Sequence, residues 1–420
     1  MNTVVVVGLG YVGLPLVVEM VRAGHRVLGL DRDEAVVAGL AAGRSHVDDI
    51  DDDTVTAILG GFTPTTDPES IRGADVVVVC VPTPLSGDGA PDLGAVAAVG
   101  RLLGDQLRPG TLVVLESTTY PGTTEELFQP LVEGGGLRVG HDLNLAFSPE
   151  RVDPGNARYG IRNTPKVVGG VTAECTRRAA TFYGSFVDTV VPAKGTREAE
   201  MAKLLENTYR HINIALVNEM ARFSHELDID LWNVIECAKT KPFGFQAFYP
   251  GPGVGGHCIP IDPNYLSHTV QARLRYPFRF VELAQEINAS MPGYVARRIQ
   301  DRLNDESKAV RGSRVLLLGV TYKADIADER ESPAVPVAEK LAAMGADVRF
   351  HDPYVTDWNV AAHGEPPRYV KVEPDLVEAL QAADVVVLLQ AHQAYLGGVL
   401  DDVSVFDTRG VLAGDAVERL

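Results

Sequence analysis

The feature that most constrains the fold is one α/β pattern that occurs near both ends of the chain. In each copy an apolar strand ends at a glycine, and further strand segments follow in the same order. The matched segments are Val4–Gly8 with Val315–Gly319, Gly24–Asp31 with Gly345–Asp352, and Ala74–Val78 with Ala383–Val387. Strands that alternate with helical segments form parallel, doubly wound sheets. We therefore predict two Rossmann-like domains.

The middle of the chain has a helical pattern instead. From Thr196 to about Asp228 neither Gly nor Pro interrupts the sequence, and apolar residues recur at helical spacing. A second helical stretch runs from about Val281 to Leu303, and we expect Pro292 to bend it. The predicted fold class is α/β, with two Rossmann-like doubly wound parallel-sheet domains joined by a central helical domain with a long spine helix.

These patterns predict three domains, at residues 1–192, 193–305 and 306–420. Within the third domain, the stretch Val355–Lys371 contains two adjacent prolines, so we predict a surface excursion there. The cysteines Cys80, Cys175 and Cys237 lie in strand or helix patterns, and we interpret them as small buried hydrophobic residues.

Charge and hydropathy exclude several classes of function. The formal net charge is −18, which opposes nonspecific binding of nucleic acid but allows local cations to bind small anions. No apolar stretch is long enough to cross a bilayer, and the apolar run at Val4–Val7 lacks the basic flank of a secretory signal. The four cysteines show no paired spacing. We expect a cytoplasmic protein with reduced thiols that binds neither nucleic acid nor membrane.

A glycine-rich turn follows the first predicted strand and opens the first predicted helix. Gly8, Gly10 and Gly13 are spaced as G-x-G-x-x-G, and Asp31 ends the second predicted strand. This is the fingerprint of a dinucleotide site, in which the pyrophosphate lies on the helix N-terminus and the carboxylate binds the adenosine ribose. Because Asp31 would repel a 2′-phosphate, we predict NAD rather than NADP, although Arg32 works against that discrimination. The alternative is a glycine-rich turn in a domain that binds nothing.

The loop at residues 250–262 contains four glycines and three prolines, which predicts a shaped turn rich in exposed backbone. Cys258 lies in this loop, and Asp262 follows four positions later. A zinc site at His257 and Cys258 is disfavoured, because no second pair of ligands is spaced to complete it. Cys258 could also be a small buried hydrophobic residue, but the glycines around it and the polar residues that flank it favour a nucleophile. We therefore predict a nucleophilic cysteine and no metal.

On the long predicted helix, Glu200, Lys203 and Asn207 share one face. A Lys and an Asn that point inward can polarise an oxygen or stabilise an oxyanion. For any one of these residues alone, a solvated charged face is the simpler interpretation.

Taken together, these motifs resemble those of the UDP-glucose/GDP-mannose dehydrogenases, which are nucleotide-sugar 6-dehydrogenases. The resemblance covers nearly the whole chain, in one consistent order. The motifs are Gly8–Gly13, Val81–Pro84, Glu116–Thr118, Ser148–Arg151, Glu200–Asn207, Gly255–Asp262, Gly319–Lys323 and Arg330–Pro333. The resemblance implies an NAD-dependent four-electron oxidation of the C6 hydroxymethyl of a UDP-sugar. Cys258 would hold the carbon first as a thiohemiacetal and then as a thioester.

The resemblance also implies site residues. The catalytic residues would be Cys258, Lys203, Asn207, Asp262, Thr118 and Glu150. The cofactor contacts would be Gly8, Gly10, Tyr11, Val12, Gly13, Asp31, Arg32, Thr83, Thr118 and Arg330, the last across a subunit boundary. The substrate contacts would be Glu150, Arg151, Val152, Lys203, Asn207, Tyr249, Gly251, Gly255 and Lys323.

The roles implied for these residues divide the reaction among the domains. Lys203 and Asn207 would stabilise the oxyanion, Asp262 would work with Lys203 in proton transfer, and Thr118 and Glu150 would hold the hydrolytic water. The first domain would bind NAD, and the second would carry the Cys258 loop and a dimer surface. The third, whose turn at residues 319–323 lacks two of the glycines, would bind the UDP part of the substrate. We expect a homodimer or a higher homo-oligomer.

The sugar is the least constrained feature. Ile261 stands where glucose-oxidising members often carry Lys, and residues 241–253 and 148–155 resemble the branch that acts on UDP-N-acetylglucosamine. We therefore expect UDP-N-acetylglucosamine. One alternative is oxidation of UDP-glucose or dTDP-glucose in polysaccharide or natural-product biosynthesis. Another is an inactive nucleotide-binding regulatory protein, which the complete set of predicted catalytic residues disfavours.

Overall fold

A computed structural model of the chain describes residues 1–86, 90–153, 156, 158–256, 259–360 and 368–420. The chain divides into two units. Unit 1 consists of Met1–Glu206 and Asn264–Tyr276, and unit 2 of Asn207–Pro263 and Pro277–Leu420. The three domain boundaries drawn from the sequence stay a prediction.

Among the described residues, unit 1 contains an eight-stranded sheet. Its strands are β1 (Thr3–Val7), β2 (Arg26–Leu30), β3 (Phe62–Thr65), β4 (Val76–Val79), β5 (Leu112–Leu115), β6 (Asn144–Phe147), β7 (Lys166–Gly170) and β8 (Val190–Pro192). Their order is β3-β2-β1-β4-β5-β6-β7-β8. Strands β1 to β6 run parallel, β7 is antiparallel to β6, and β8 is parallel to β7. The order of the first six strands is that of a dinucleotide-binding domain.

Helices cover both faces of this sheet, which explains why its central strands β1, β4 and β5 consist almost entirely of Val and Leu. The helices are α1 (Gly13–Arg22), α2 (Glu34–Ala41), α3 (Asp52–Ile58), α4 (Gly94–Gln106), α5 (Gln129–Val132), α6 (Ala173–Tyr183) and α7 (Thr196–Glu226), which runs from unit 1 into unit 2. Val4 and Val6 of β1 pack into one apolar cluster with Leu14 of α1. Val5 and Val7 pack into a second cluster, which includes Leu103 of α4.

Unit 2 contains a seven-stranded sheet among its described residues. Its strands are β9 (Arg314–Leu318), β10 (Asp347–His351), β11 (Trp358–Val360), β12 (Arg368–Val372), β13 (Val385–Leu388), β14 (Val405–Asp407) and β15 (Val417–Arg419). Their order is β11-β12-β10-β9-β13-β14-β15, and only β11 is antiparallel to its neighbour within this described sheet. The six strands other than β11, in the order β12-β10-β9-β13-β14-β15, repeat the arrangement of the first six strands of unit 1. The predicted fold class is thereby confirmed.

The remaining helices are α8 (Leu231–Ala238), α9 (Asp262–Leu274), α10 (Arg279–Asp305), α11 (Ala334–Met344) and α12 (Leu376–Ala382). The long helix predicted from Thr196 is α7, and it ends two residues before the predicted limit. The second predicted helix is α10, which includes Pro292.

Two expectations from the sequence are wrong. The stretch Val355–Lys371 is not simply a surface excursion, because it contributes β11 and most of β12, and Trp358 is 1% exposed against Phe350. Residues 361–367 lie outside the described part. Cys237 is exposed on α8 rather than buried, because it lies on the outward face of that amphipathic helix.

Candidate active site

The turn between β1 and α1 has the shape that a dinucleotide site requires. Gly8 has a φ of +91°, and a Cβ on it would lie 2.6 Å from the carbonyl oxygen of Cys80. A Cβ on Gly13 would lie 1.9 Å from the carbonyl oxygen of Gly8. A Cβ on Gly10 would meet no heavy atom within 4 Å. Gly8 and Gly13 therefore close the turn, whereas Gly10 leaves open space in front of the backbone, and the residues fit a bound dinucleotide.

Asp31 is fixed beside this turn. Its Oδ2 accepts a hydrogen bond from the N–H of Leu9 at 2.9 Å, and its Oδ1 accepts one from the N–H of Asp33 at 3.0 Å. Tyr11 and Arg32 are exposed at the same edge, and Val12 is half-buried. The predicted cofactor contacts on β1, β2 and α1 therefore surround one turn.

Three predicted catalytic residues come together in unit 1. Lys203 of α7 is 8% exposed, and its Nζ donates a hydrogen bond to Oγ1 of Thr118 at 2.5 Å. Thr118 follows β5, and Glu150 follows the neighbouring strand β6. Since parallel strands place their carboxyl ends at one edge, Thr118 and Glu150 lie where ligands of such sheets bind.

Glu150 is held from two sides. Its Oε1 accepts hydrogen bonds from the N–H groups of Arg151 at 2.8 Å and Val152 at 2.6 Å, and its Oε2 lies 3.4 Å from Nζ of Lys166. Burial by itself would raise the pKa of Glu150, but the charges of Lys166 and Lys203 and the two N–H groups outweigh it, so the pKa is lowered. Glu150 is therefore an ionised carboxylate that can accept a proton.

Arg151 and Thr83, two further predicted contacts in unit 1, are fixed by other groups. The Arg151 guanidinium forms two hydrogen bonds with Glu206, at 2.7 and 3.1 Å. The carbonyl oxygen of Thr83 accepts a hydrogen bond from the hydroxyl of Tyr265 at 2.6 Å.

Sequence reasoning missed Lys166. It lies 2.7 Å from Oε2 of Glu116, whose other oxygen accepts a hydrogen bond from the Tyr183 hydroxyl. Burial raises the pKa of Glu116, and it raises the pKa of Tyr183 well above its usual range. The signal in the sequence was a lysine at the start of an otherwise apolar strand, Lys166–Gly170.

In unit 2 the structure pairs two other predicted catalytic residues. Nδ2 of Asn207 donates a hydrogen bond to Oδ2 of Asp262 at 2.6 Å, and both side chains are buried. Asn207 lies on α7, and Asp262 begins α9. Cys258 and His257 lie outside the described residues, so the predicted nucleophile stays a prediction.

The loop that precedes Cys258 is anchored through its backbone. The N–H of Gly251 donates to Oδ1 of Asn218 at 2.9 Å, and Nδ2 of Asn218 donates to Oδ1 of Asn288 at 2.9 Å. A Cβ on Gly255 would lie 2.6 Å from the carbonyl oxygen of Glu331, so a larger residue there would displace the chain. Tyr249 stacks on Trp232 with ring centroids 5.9 Å apart, and remains partly exposed.

The predicted contacts after β9 have defined surroundings. Oγ1 of Thr321 donates to the carbonyl oxygen of Lys323 at 2.7 Å, which fixes the backbone that carries this half-buried lysine. Arg330 is exposed, and it forms two hydrogen bonds with Asp328, at 2.8 and 2.6 Å.

A second cation missed by sequence reasoning lies beside the predicted substrate loop. Nε of Arg409 donates to the carbonyl oxygen of Leu389 at 2.7 Å, and a Cβ on Gly251 would lie 3.3 Å from Nη1 of Arg409. Burial lowers the pKa of Arg409 to about 10. The nearby Asp407 accepts hydrogen bonds from the N–H groups of Arg409, Gly410 and Leu412. Among the described residues, the Arg409 guanidinium donates its hydrogen bond to a backbone carbonyl group, so its charge could bind an anionic ligand.

Two kinds of feature are absent from the described part of the chain. No group of three or more His, Cys, Asp or Glu residues there could hold a metal ion. Nor does any described helix have the length and apolar character that crossing a membrane requires.

Three family models match successive parts of the chain. They are the NAD binding domain of the UDP-glucose/GDP-mannose dehydrogenase family at residues 2–187, its central domain at residues 197–290, and its UDP binding domain at residues 316–414.

Individual proteins match along nearly the full length. UDP-N-acetyl-D-mannosamine dehydrogenase of Yersinia pestis is 33% identical over 428 residues, covering 98% of this chain and 99% of that protein. The structure of the UDP-D-ManNAc dehydrogenase of Pyrococcus horikoshii has a TM-score of 0.88 at 31% identity, covering 99% of this chain and 98% of that one. The structure of a UDP-glucose dehydrogenase from Pyrobaculum islandicum has a TM-score of 0.86 at 28% identity, and it covers 100% of this chain and 96% of that chain.

Proposed function

This chain belongs to the UDP-glucose/GDP-mannose dehydrogenase family, and from that premise we propose that it oxidises the C6 hydroxymethyl group of a UDP-N-acetylhexosamine to a carboxylate. It is an NAD-dependent nucleotide-sugar dehydrogenase. The observation that carries the proposed chemistry is the arrangement of Lys203 against Thr118, with the ionised Glu150 on the adjacent strand. It supplies a cation for a developing oxyanion and a base for a water molecule.

Gly8, Gly10, Gly13 and Asp31 would hold the cofactor, since the turn they form leaves space at Gly10. NAD supplies the hydride acceptor when it is bound, and a four-electron oxidation requires two molecules of it in sequence. The exposed Tyr11 and Arg32 border the same turn.

The protein's own groups manage the charge and the protons of the reaction. The ammonium of Lys203 stabilises the oxyanion that forms at C6, and Asn207 contributes an amide N–H group. Asp262, which accepts a hydrogen bond from Asn207 at 2.6 Å, orients that amide and takes part in proton transfer.

Cys258 is the proposed covalent nucleophile. Its thiolate adds to the aldehyde carbon to form a thiohemiacetal, which retains the reactive aldehyde on the protein. The second oxidation converts the thiohemiacetal to a thioester. Glu150 then accepts a proton from the water that hydrolyses the thioester, while Thr118 positions that water.

We propose that the UDP part lies against unit 2. Lys323 and Arg409 provide cations for the diphosphate, and the backbone of the Gly251 and Gly255 loop approaches it closely. Support comes from the position of Arg409, whose Nη1 faces Gly251 and whose Nε donates to a backbone carbonyl group. Tyr249, which stacks on Trp232, offers an aromatic surface at the same loop.

For the sugar, we propose UDP-N-acetylmannosamine first, because two of the compared proteins are named for it. UDP-N-acetylglucosamine is the second candidate, which the segment at residues 241–253 and Ile261 favour. UDP-glucose is the third, since the Pyrobaculum islandicum protein has the same overall fold.

The test is NADH release with each of the three UDP-sugars and with dTDP-glucose. We expect turnover with an N-acetylated sugar and two NADH per sugar consumed. A preference for UDP-glucose would overturn the substrate proposal, and one NADH per sugar would overturn the four-electron mechanism. Cys258→Ala should abolish turnover, whereas Cys237→Ala, which changes an exposed cysteine of α8, should retain it.

We also propose a homodimer or a higher homo-oligomer. Support comes from the apolar residues that α7 exposes, which include Tyr209, Leu216 and Phe223. Light scattering during size-exclusion chromatography measures the oligomeric state, and a monomer at micromolar concentration would contradict the proposal.

A further inference from the structure

Lys166 lies buried between two carboxylates at one edge of the unit 1 sheet. It is 5% exposed, and its Nζ lies 2.7 Å from Oε2 of Glu116 and 3.4 Å from Oε2 of Glu150. Glu116 directly follows β5, and Glu150 follows β6. The ammonium group of Lys166 thus contacts both Glu150, which belongs to the proposed site, and Glu116, which has no proposed role there.

The reversal of one strand creates this arrangement. Strand β7 runs antiparallel to β6, with Phe147 paired to Gly169. The start of β7, which is Lys166, therefore lies at the carboxyl end of β6. Had β7 been parallel, its first residue would lie at the opposite edge of the sheet, far from Glu150.

The two carboxylates have different surroundings. Glu150 accepts two backbone N–H groups, which favour its ionised form. Glu116 is 1% exposed and accepts only the Tyr183 hydroxyl besides Lys166 among its described hydrogen-bond donors. The pKa of Glu150 is lowered and that of Glu116 is raised by burial, although both face the same ammonium. Neighbouring carboxyl groups whose pKa values are driven apart in this way are typical of acid–base sites.

We propose that Lys166 is a positioning residue for the oxidation of the nucleotide sugar: it keeps Glu150 ionised and oriented for hydrolysis of the thioester. This inference rests on the proposed function. In the step concerned, water adds to the thioester carbonyl carbon and gives one proton to Glu150. The C–S bond then breaks, which leaves the carboxylic acid, the Cys258 thiolate and protonated Glu150.

The contribution of Lys166 to the ionised state of Glu150 depends on the other charged and titratable groups that face this carboxylate. Lys203 supplies a second positive charge, and Glu116 supplies a negative one. Burial raises the pKa of both Cys80 and Tyr183 well above their usual ranges, so these two groups stay neutral. Lys166 is therefore the cation that offsets the repulsion between Glu116 and Glu150.

The test compares the pH dependence of kcat in wild type, Lys166→Met and Lys166→Arg. In Lys166→Met the ammonium is lost, so the acidic limb of the pH profile of kcat should move to a pH about 1 to 3 units higher than in wild type. It should also produce a burst of two NADH per active site before a slower steady state, because hydrolysis becomes limiting. Lys166→Arg retains the positive charge and should restore an acidic limb close to that of wild type.

Removal of a buried cation also threatens folding. The double variant Glu116→Gln with Lys166→Met removes one charge of each sign, so the buried net charge is unchanged. It should fold, and its acidic limb should lie between those of wild type and Lys166→Met, because the repulsion from Glu116 is lost together with the ammonium that lies 3.4 Å from Glu150. An unchanged limb in folded Lys166→Met (or in the double variant, if Lys166→Met does not fold), or an equal loss of rate at every pH without a burst, would overturn the inference.

A readout without turnover separates this inference from the proposed function. Difference infrared spectra against Glu150→Gln isolate the Glu150 carboxylate band in protein free of NAD and substrate. The band should titrate at higher pH in the Lys166→Met variant or in the double variant, and an unshifted titration would overturn the inference. If wild type oxidises no nucleotide sugar, the proposed function fails even where the band shifts.

Discussion

Nε2 of His392 lies 3.1 Å from Oδ2 of Asp352 in unit 2, and neither side chain is exposed to solvent. The N–H of Asp325 donates to Nδ1 of His392 at 2.9 Å, so Nε2 is the ring nitrogen that donates to Asp352. Asp352 also accepts a hydrogen bond from the N–H of Val320 at 2.7 Å. The pair therefore holds the chain on both sides of Lys323.

Asp352 is the counterpart of Asp31 in the repeated α/β pattern. Each carboxylate directly follows the second strand of its sheet and accepts the N–H of a residue after the first strand, which is Leu9 for Asp31 and Val320 for Asp352. His392 covers Asp352, whereas Asp31 stays half-buried. A ribose hydroxyl could therefore reach Asp31 but not Asp352, so the two similar sheets need not bind the same ligand.

The first prediction concerns His392. Replacement by Leu removes the donor to Asp352 and the acceptor for the N–H of Asp325, which leaves buried polar groups unsatisfied. We expect the free energy of unfolding to fall by about 1 to 3 kcal/mol, measured by urea denaturation at pH 7. His141→Leu, at an exposed histidine, should change it by less than about 0.5 kcal/mol. Equal stability of the two variants would contradict the role assigned to His392.

The second prediction concerns the pH dependence of stability. His211 is buried on α7, and burial lowers its pKa to about 4. Between pH 6.5 and about 4 the unfolded chain binds a proton at this residue while the folded chain does not, so stability falls as the pH falls. The contribution is at most about 3 kcal/mol.

Urea denaturation at pH 7.0 and pH 4.5 checks this expectation. His211→Leu cannot bind a proton there, so its loss of stability between the two pH values should be smaller than that of wild type. Other titrating groups contribute equally to both proteins and cancel in the comparison. Identical losses would show that His211 does not resist protonation in the folded state.

The third prediction distinguishes two glycines of the dinucleotide turn. A Cβ on Gly10 meets no atom of the protein, so Gly10→Ala should fold normally. It should raise the Kd for NADH at least about tenfold, because the methyl group fills space for the pyrophosphate. Isothermal titration calorimetry measures the Kd, and unchanged affinity would place the cofactor elsewhere.

Gly13→Ala is the matched variant. Its Cβ would lie 1.9 Å from the carbonyl oxygen of Gly8, so the turn itself must shift. We expect Gly13→Ala to lose more than about 2 kcal/mol of stability, which thermal denaturation detects.

The fourth prediction assigns Glu200 to the fold rather than to the chemistry. Its Oε2 accepts the N–H of Gly122 at 2.6 Å, and its Oε1 accepts the N–H and the hydroxyl of Thr124 at 2.9 and 2.7 Å. Glu200→Gln places an amide group against these donors, so we expect a loss of about 1 to 3 kcal/mol in the free energy of unfolding. Glu198→Gln, at an exposed position, is the control.

The readout for Glu200 includes activity. The acidic limb of kcat should stay where it is in wild type, in contrast to the Lys166→Met variant. A displaced limb in a stable Glu200→Gln protein would show that Glu200 belongs to the proton-transfer groups after all.

Local patterns were sufficient to predict much of this molecule. The two sheets and the turn at Gly8 depend on the alternation of apolar runs with glycines, which is a property of short segments. The long helix α7 likewise follows from an uninterrupted helical spacing. The hydrogen bond between Asn207 and Asp262 did not follow from such local patterns, and the catalytic roles of these two residues stay a prediction.

The sequence by itself therefore determined which segments form strands and helices and where a dinucleotide turn must lie. Only the tertiary structure decided which distant residues meet. The antiparallel course of β7 brings Lys166 to Glu150, and the packing of unit 2 brings Arg409 to Gly251. The tertiary structure also decided that Trp358 is buried and that Cys237 is exposed. The physical reason is that the spacing of residues along a segment sets its periodicity, whereas the electrostatic surroundings of a side chain depend on groups contributed by remote parts of the chain.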